Sequence, residues 1–238
     1  ATEMYSAGIE RLTHQPLSFS VSETTEGVHI HIIDAELMGK GEKEKKDLYI
    51  EGVQNNGIIN HYEYIINSEG TIEIRHVLKP EGKMPLWFPR IGLTLTVSDA
   101  LDQVKWYGRG PQENYPDRKT GYPMGIYAST VQAMYEPYLM PQDYGLRTDV
   151  RWLQLTTDKG IGLQFKMNEW FNFNIYPYST DNLTKAMYTY QLQKQKGMTL
   201  NLDYATTGVG CTARGVFGAY KAMPQEYRRT ISIRPMMK

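Results

Sequence analysis

The sequence is short of most of what a disulfide-stapled, nucleic-acid-binding or membrane-crossing protein needs. It has one cysteine, Cys211, so no internal disulfide can form. Its 26 basic and 26 acidic residues cancel, which leaves no basic footprint for a phosphate backbone and no polybasic patch for a lipid surface. No apolar run approaches the roughly 20 residues that a membrane-crossing helix requires. Histidine stops at His76 and tryptophan at Trp170. Helix signals are also few: only residues 181–187 offer an N-cap candidate followed by a turn or two. The opening Ala1-Thr2-Glu3 carries no charged-then-apolar leader and suggests a piece cut from a longer polypeptide.

Tyrosine, by contrast, is abundant at 18 residues, beside four tryptophans. Aromatic side chains suit strands, and they also suit carbohydrate, whose C–H faces stack on rings. Period-two alternation dominates the chain. It is seen at Val28, Ile30 and Ile32; at Ile72 and Ile74; and at Ile91, Leu93, Leu95 and Val97. It recurs at Ile161, Leu163, Phe165 and Met167, then at Phe171, Phe173 and Ile175, and finally at Ile231 and Ile233. Turns are expected at Ser68-Glu69-Gly70, Lys79-Pro80-Glu81-Gly82 and Asp158-Lys159-Gly160. The pattern is that of antiparallel β with one face in and one face out. The charged run from Lys40 to Asp47 reads as a solvated loop. No repeat or low-complexity linker interrupts the sequence, so residues 1–238 read as one domain.

The densest information lies in residues 106–118, Trp-Tyr-Gly-Arg-Gly-Pro-Gln-Glu-Asn-Tyr-Pro-Asp-Arg. A stretch so rich in Gly, Pro, Asn and Asp cannot continue a helix or a central strand, and a shaped loop is expected. Within it, Gly110, Pro111, Gln112, Glu113, Asn114, Tyr115, Pro116, Asp117 and Arg118 resemble a signature of the C-terminal small-chain domain of family 2 β-galactosidases. Tyr-Glu-Pro-Tyr-Leu-Met-Pro-Gln-Asp-Tyr-Gly-Leu-Arg at 135–147 and Val150-Arg151-Trp152 extend the resemblance in order. So do Phe-Asn-Phe-Asn-Ile-Tyr-Pro-Tyr-Ser at 171–179, Leu-Asn-Leu-Asp-Tyr at 200–204 and Gly208-Val209-Gly210. The resemblance runs from about Trp87 to the C-terminus and is loose over the first eighty residues.

It implies an antiparallel β super-sandwich similar to galactose mutarotase, N-terminally truncated. Sheet edges left unpaired by such truncation would favour self-association into a homo-oligomer or marginal stability. It implies that the whole enzyme hydrolyses terminal β-D-galactosides through a covalent glycosyl-enzyme. Its two catalytic glutamates lie in a separate barrel upstream, so this chain carries no catalytic residue and is inactive alone. It implies no metal and no cofactor in this chain, with any Mg or Na of the whole enzyme bound outside the domain. Its partners would be the catalytic barrel and the β-galactoside substrate, with no nucleic acid and no membrane. Family members often continue the Gly-Val-Gly with a segment ending in Trp; here Cys211-Thr212-Ala213-Arg214-Gly215 follows. Tyr188 likewise stands where a His is often found.

From the residues themselves, a glycosidase pair of carboxylates could be drawn from Glu113, Asp117, Glu136 and Asp143. The plainer reading is that these cap turns and pair with Arg109, Arg118 and Arg147. His29, His31 and His61 could suggest a zinc site, but His29 and His31 share a strand face without a third ligand at a recognisable spacing, so all three read as strand-surface residues. For sugar binding, Tyr107, Tyr115, Trp152, Trp170, Tyr176 and Tyr178 could stack on a pyranose. Arg147, Arg151, Asn172 and Asn174 could bond its hydroxyls. The leading candidates are Arg147, Arg151, Trp170, Asn172, Asn174 and Tyr176, set against the alternative that the aromatics fill a sandwich core and the Asn residues sit on a solvated strand face. Two functional readings follow: a non-catalytic domain that packs on the barrel and shapes the substrate pocket, or a stand-alone carbohydrate-binding or mutarotase-like module. Epimerase chemistry of the mutarotase type would need a His and a Glu on one sheet face, and histidines are lacking past His76.

Overall fold

The structure, a computed structural model, describes residues 18–24, 27–34, 57–211 and 215–237. The charged run at 40–47 and the side chains of His29 and His31 lie outside what is described. The all-β expectation holds: among the described residues, eleven strands, all antiparallel in the pairings below, are accompanied by one short α-helix and three single 3-10 turns. By its contacts the chain gathers into two compact units.

The first unit is a meander of β1 (Ser18–Thr24), β2 (Gly27–Asp34), β3 (Gly57–Ile66) and β4 (Ile72–Glu81), each pairing with the next. Residues Tyr227–Ile231 of the last strand, β11 (Tyr227–Met236), belong to it as well. Its β3–β4 hairpin turns where expected. The Asn67 side chain accepts from the Glu69 and Thr71 amides at 3.0 Å each, and Gly70 takes φ +77°, a left-handed value that glycine adopts without strain. Strand β4 runs through Lys79 and Pro80, so the turn expected there begins only at Gly82, φ +74°. His76 is buried, stacked on Tyr62 and bonded to Asn60 Oδ1 at 3.0 Å. Burial, helped by His61, pulls its pKa down to about 4.

The second unit contains β5 (Arg90–Val97), β6 (Gln103–Arg109), β7 (Met124–Thr130), β8 (Arg147–Thr156), β9 (Gly162–Tyr176) and β10 (Met198–Thr206). They pair in the order β7-β6-β8-β9-β10-β5. The two alternating runs at 161–167 and 171–175 are one 15-residue strand, β9. Trp106, Leu153, Leu155, Phe165, Phe173 and Leu202 are all buried on one face of this sheet. Each contributes roughly 1.5–3 kcal/mol by leaving water. Trp106 meets Phe173 edge-on at 5.9 Å, and its indole N–H donates to the Arg109 carbonyl at 3.0 Å, so its one polar atom is satisfied. Helix α1 (Thr180–Lys185) starts two residues earlier than an Asp181 cap would place it. Its cap is Ser179, whose hydroxyl accepts from the Asn182 amide at 3.1 Å.

Candidate functional site

The segment 106–118 is half strand and half loop. Trp106 to Arg109 complete β6, contrary to the expectation of a loop throughout. Their alternation supplies the reason: Trp106 and Gly108 are buried while Lys105 and Tyr107 face outward. Gly108 is glycine because a Cβ there would sit 3.1 Å from the Val150 Cα of the neighbouring strand. The loop proper begins at a cis peptide between Gly110 and Pro111.

Glu113 is the hub of that loop. Its carboxylate, almost wholly buried, accepts from the Arg118 guanidinium at 2.9 Å, the Gly145 amide at 2.8 Å, the Tyr115 hydroxyl at 3.1 Å and the Tyr138 hydroxyl. Burial first, and then the Glu113 charge, raise the Tyr115 hydroxyl far above its ordinary range. Burial and a hydrogen bond to Glu113 push Tyr138 up to about 12. Both hydroxyls therefore keep their protons and remain donors. Asn114 is fully buried: its Oδ1 accepts from the Thr148 amide and hydroxyl, and its Nδ2 donates to the Gln112 carbonyl at 3.0 Å. Asp117 reaches across the sequence, accepting from the Val209 amide at 3.0 Å and the Gly210 amide at 2.7 Å. The first and last family-like motifs are thus stapled together. Gly208 allows this, since a Cβ there would fall 2.3 Å from the Asp117 carboxyl carbon.

A β-bulge interrupts β8 between Arg147 and Trp152. At its centre Asp149 takes φ +55°, strained for a residue with a side chain. Ion pairs hold it there: Arg109 Nε donates to it at 2.6 Å and Lys119 Nζ at 2.8 Å. Burial works against its charge, but these two cations outweigh burial and keep its pKa below the ordinary value. Arg147, buried, donates to the Gly145 carbonyl at 2.9 Å and lies over the Trp106 ring. Desolvation lowers its pKa to about 10 against the pull of Glu113 and Glu136.

The second cluster lies on β5, β9 and β10. Arg90 donates to Asp203 at 2.8 Å, to Asn174 Oδ1 at 3.2 Å and to Asp143 at 3.3 Å. Asn174 also donates to Asp143 and to the Tyr144 carbonyl, each at 2.9 Å, and accepts from Asn201 at 2.8 Å. Its amide is fully used inside the protein. Asn201 donates as well to the Tyr176 hydroxyl at 3.0 Å. Burial raises the Asp203 pKa to about 6 despite Arg90. For Arg90, burial would lower the pKa, but Asp203 and Asp143 hold it above the usual range. Burial pushes Tyr176 up to about 12.

The six sequence-derived sugar candidates therefore fall in three places. Asn174 and Tyr176 belong to the Arg90 cluster. Arg147 lies by the loop hub. Asn172 spans the Asp149 amide and the Thr206 hydroxyl, while Trp170, exposed, carries the Arg151 guanidinium 3.4 Å from its ring centre. Of the expected carboxylate partners, Arg118 takes Glu113, but Arg109 takes Asp149, and Asp143 pairs with Arg90. Arg90, Asp149, Asn201 and Asp203 were not singled out as site residues from the sequence. Asp203 did leave a trace, since an acid alternating with leucines is unusual in a central strand. Among the described residues, no group of three His, Cys, Asp or Glu side chains is placed to hold a metal ion.

The family model described as "Beta galactosidase small chain" matches residues 7–233, reaching back through the first eighty residues where the motifs were loose. Curated relatives include a β-galactosidase of Priestia megaterium, 38% identical over 147 residues, which are 62% of this chain and 14% of that protein. A β-galactosidase of Vibrio cholerae is 39% identical over 122 residues, 51% of this chain and 11% of that protein. The chain thus spans a small fraction of the length of the relatives it matches. Similar solved structures include a putative aldose 1-epimerase from Escherichia coli K12 (TM-score 0.40, 7% identity, 94% of this chain and 69% of that one). Another is an aldose epimerase homologue from C. elegans (TM-score 0.45, 12% identity, 94% and 70%).

Proposed function

The chain belongs to the β-galactosidase small-chain family, and from that premise we propose that it is a non-catalytic domain of a β-galactosidase. In this reading it packs on the catalytic barrel and forms one wall of the substrate pocket. The enzyme as a whole hydrolyses terminal β-D-galactosides, with the two carboxylates of a retaining glycosidase supplied from outside this chain.

The observation that carries the reading is the state of the carboxylates. Glu113, Asp117, Asp143, Asp149 and Asp203 are each tied to a cation or a backbone amide. Acid–base and nucleophilic work needs a carboxylate that can reach substrate; these are spent on shape. The shape they fix is a rim. The Tyr138 hydroxyl donates to Glu113, the Val209 and Gly210 amides donate to Asp117 four residues on, and the Gly208 amide donates to the Tyr220 carbonyl. Leu139, Met140, Val209 and Phe217 stand exposed on the same linked segments. Apolar side chains held out by a stiff polar frame suit a neighbour of the same polypeptide.

The test is steady-state hydrolysis of an aryl β-galactoside by the whole polypeptide, unaltered and with Leu139→Arg plus Val209→Arg. Impaired hydrolysis with an unchanged melting temperature of this domain is expected. Unaltered kcat and KM in the double variant, or hydrolysis by the 238-residue chain alone, would sink the proposal.

A further inference from the structure

A different surface of the second unit is open. Across β7-β6-β8-β9 the outward side chains form rows set by strand register. Ile126, Tyr107, Trp152 and Lys166 face one another in the first row. Ala128, Lys105, Gln154 and Gln164 follow in the next, then Thr130, Gln103 and Thr156. The intervening residues Val104, Trp106, Leu153 and Leu155 point the other way and are buried.

Ile126 is 62% and Tyr107 38% exposed, so this row is presented to solvent rather than packed away. The Tyr107 and Trp152 rings lie 6.4 Å apart, tilted by 53°. The ends of Lys105, Gln154 and Gln164 are not drawn into hydrogen bonds with other described groups, in contrast to the spent amides of Asn172 and Asn174. An open depression of about 440 Å³ adjoins the rows, lined by Gln103, Lys105, Gln154, Thr156 and Asp158. That is within the roughly 300–1,000 Å³ of small-molecule sites.

We propose that this face binds carbohydrate: Tyr107 and Trp152 stack on the C–H faces of hexopyranose rings, while Lys105 and Gln154 hold their hydroxyls. Aromatic faces beside uncommitted amides match a ligand that is apolar on its ring faces and hydroxylated at its edges. A protein partner would be better served by large apolar side chains in the second row, where beyond Ala128 there stand amides and an ammonium. The site is separate from the Glu113 rim and does not rest on the accessory-domain reading.

The experiment is native affinity electrophoresis of the full polypeptide through gels containing soluble linear β-1,4-galactan. Retardation of the unaltered protein is expected, with apparent affinity about tenfold weaker in Trp152→Ala and in Tyr107→Ala. Gln154→Ala should weaken it less. Tyr107 is exposed, so its variant still answers if Trp152→Ala fails to fold. Absence of retardation overturns the proposal, as does retardation that folded Tyr107→Ala and Gln154→Ala leave unchanged. Hydrolysis of a small aryl galactoside, which reads the accessory role, is expected to be untouched by these variants.

Discussion

Replacing Glu113 with alanine removes the acceptor on which the loop converges. The Arg118 guanidinium is half exposed and returns to water, so its ion pair contributes little to the loss. The Gly145 amide and the Tyr115 hydroxyl are buried and have no water to turn to. A buried donor without a partner costs about 1–3 kcal/mol, which places Glu113→Ala near ~4 kcal/mol. For a domain of this size that lowers the melting midpoint by roughly 8–16 °C. Glu113→Gln keeps the volume and one carbonyl oxygen, and a tyrosine hydroxyl can rotate to accept from the new amide. Its loss should be smaller, about 1–2 kcal/mol. Circular-dichroism melts of the three proteins, with urea titrations to check the slope, give the comparison. An alanine variant melting within about 2 °C of the unaltered protein would refute the idea of a buried hub, as would a glutamine variant worse than alanine.

Gly208→Ala should drive the Asp117 carboxylate out of its place and cost about 1–3 kcal/mol; the loss should largely vanish in an Asp117→Ala background, as measured by a double-mutant cycle. Asp203, raised from 3.8 to about 6, binds its proton more tightly when folded, so its contribution to stability falls as pH rises through that window. Asp203→Asn abolishes the dependence, and urea unfolding at pH 4 and pH 7 should show the variant gaining on the parent at the higher pH. Trp106→Ala empties the centre of the second unit and should cost about 3–5 kcal/mol by chemical unfolding.

The strands were legible because period-two alternation reflects a single physical fact, one face in and one face out, and Ile91–Val97 or Phe171–Ile175 state it without ambiguity. The Asp181 helix was legible for the same local reason, although its cap moved to Ser179. What could not be read was pairing at a distance. Arg109 was expected to hold a loop carboxylate, yet it holds Asp149, which enters its reach only because a bulge turns the β8 backbone to φ +55°. Arg90 gave no sign of meeting Asp203, because a strand order of β9-β10-β5 is not written in either segment. Asn174 was expected to face solvent from its alternation with Phe173. The 143–145 segment covers it instead, and no periodicity records what a loop will cover.

The staple between Asp117 and the Val209 and Gly210 amides joins positions 92 and 93 residues apart. It sets an order of events during synthesis. The loop around Glu113 can form its internal bonds as soon as Gly145 has been made, but its outer end has nothing to hold until a further sixty-odd residues have emerged. Closing so long a segment is entropically late in folding. A nascent chain stopped short of Val209 would therefore carry a half-set loop, and any neighbour that docks against this rim must wait for it.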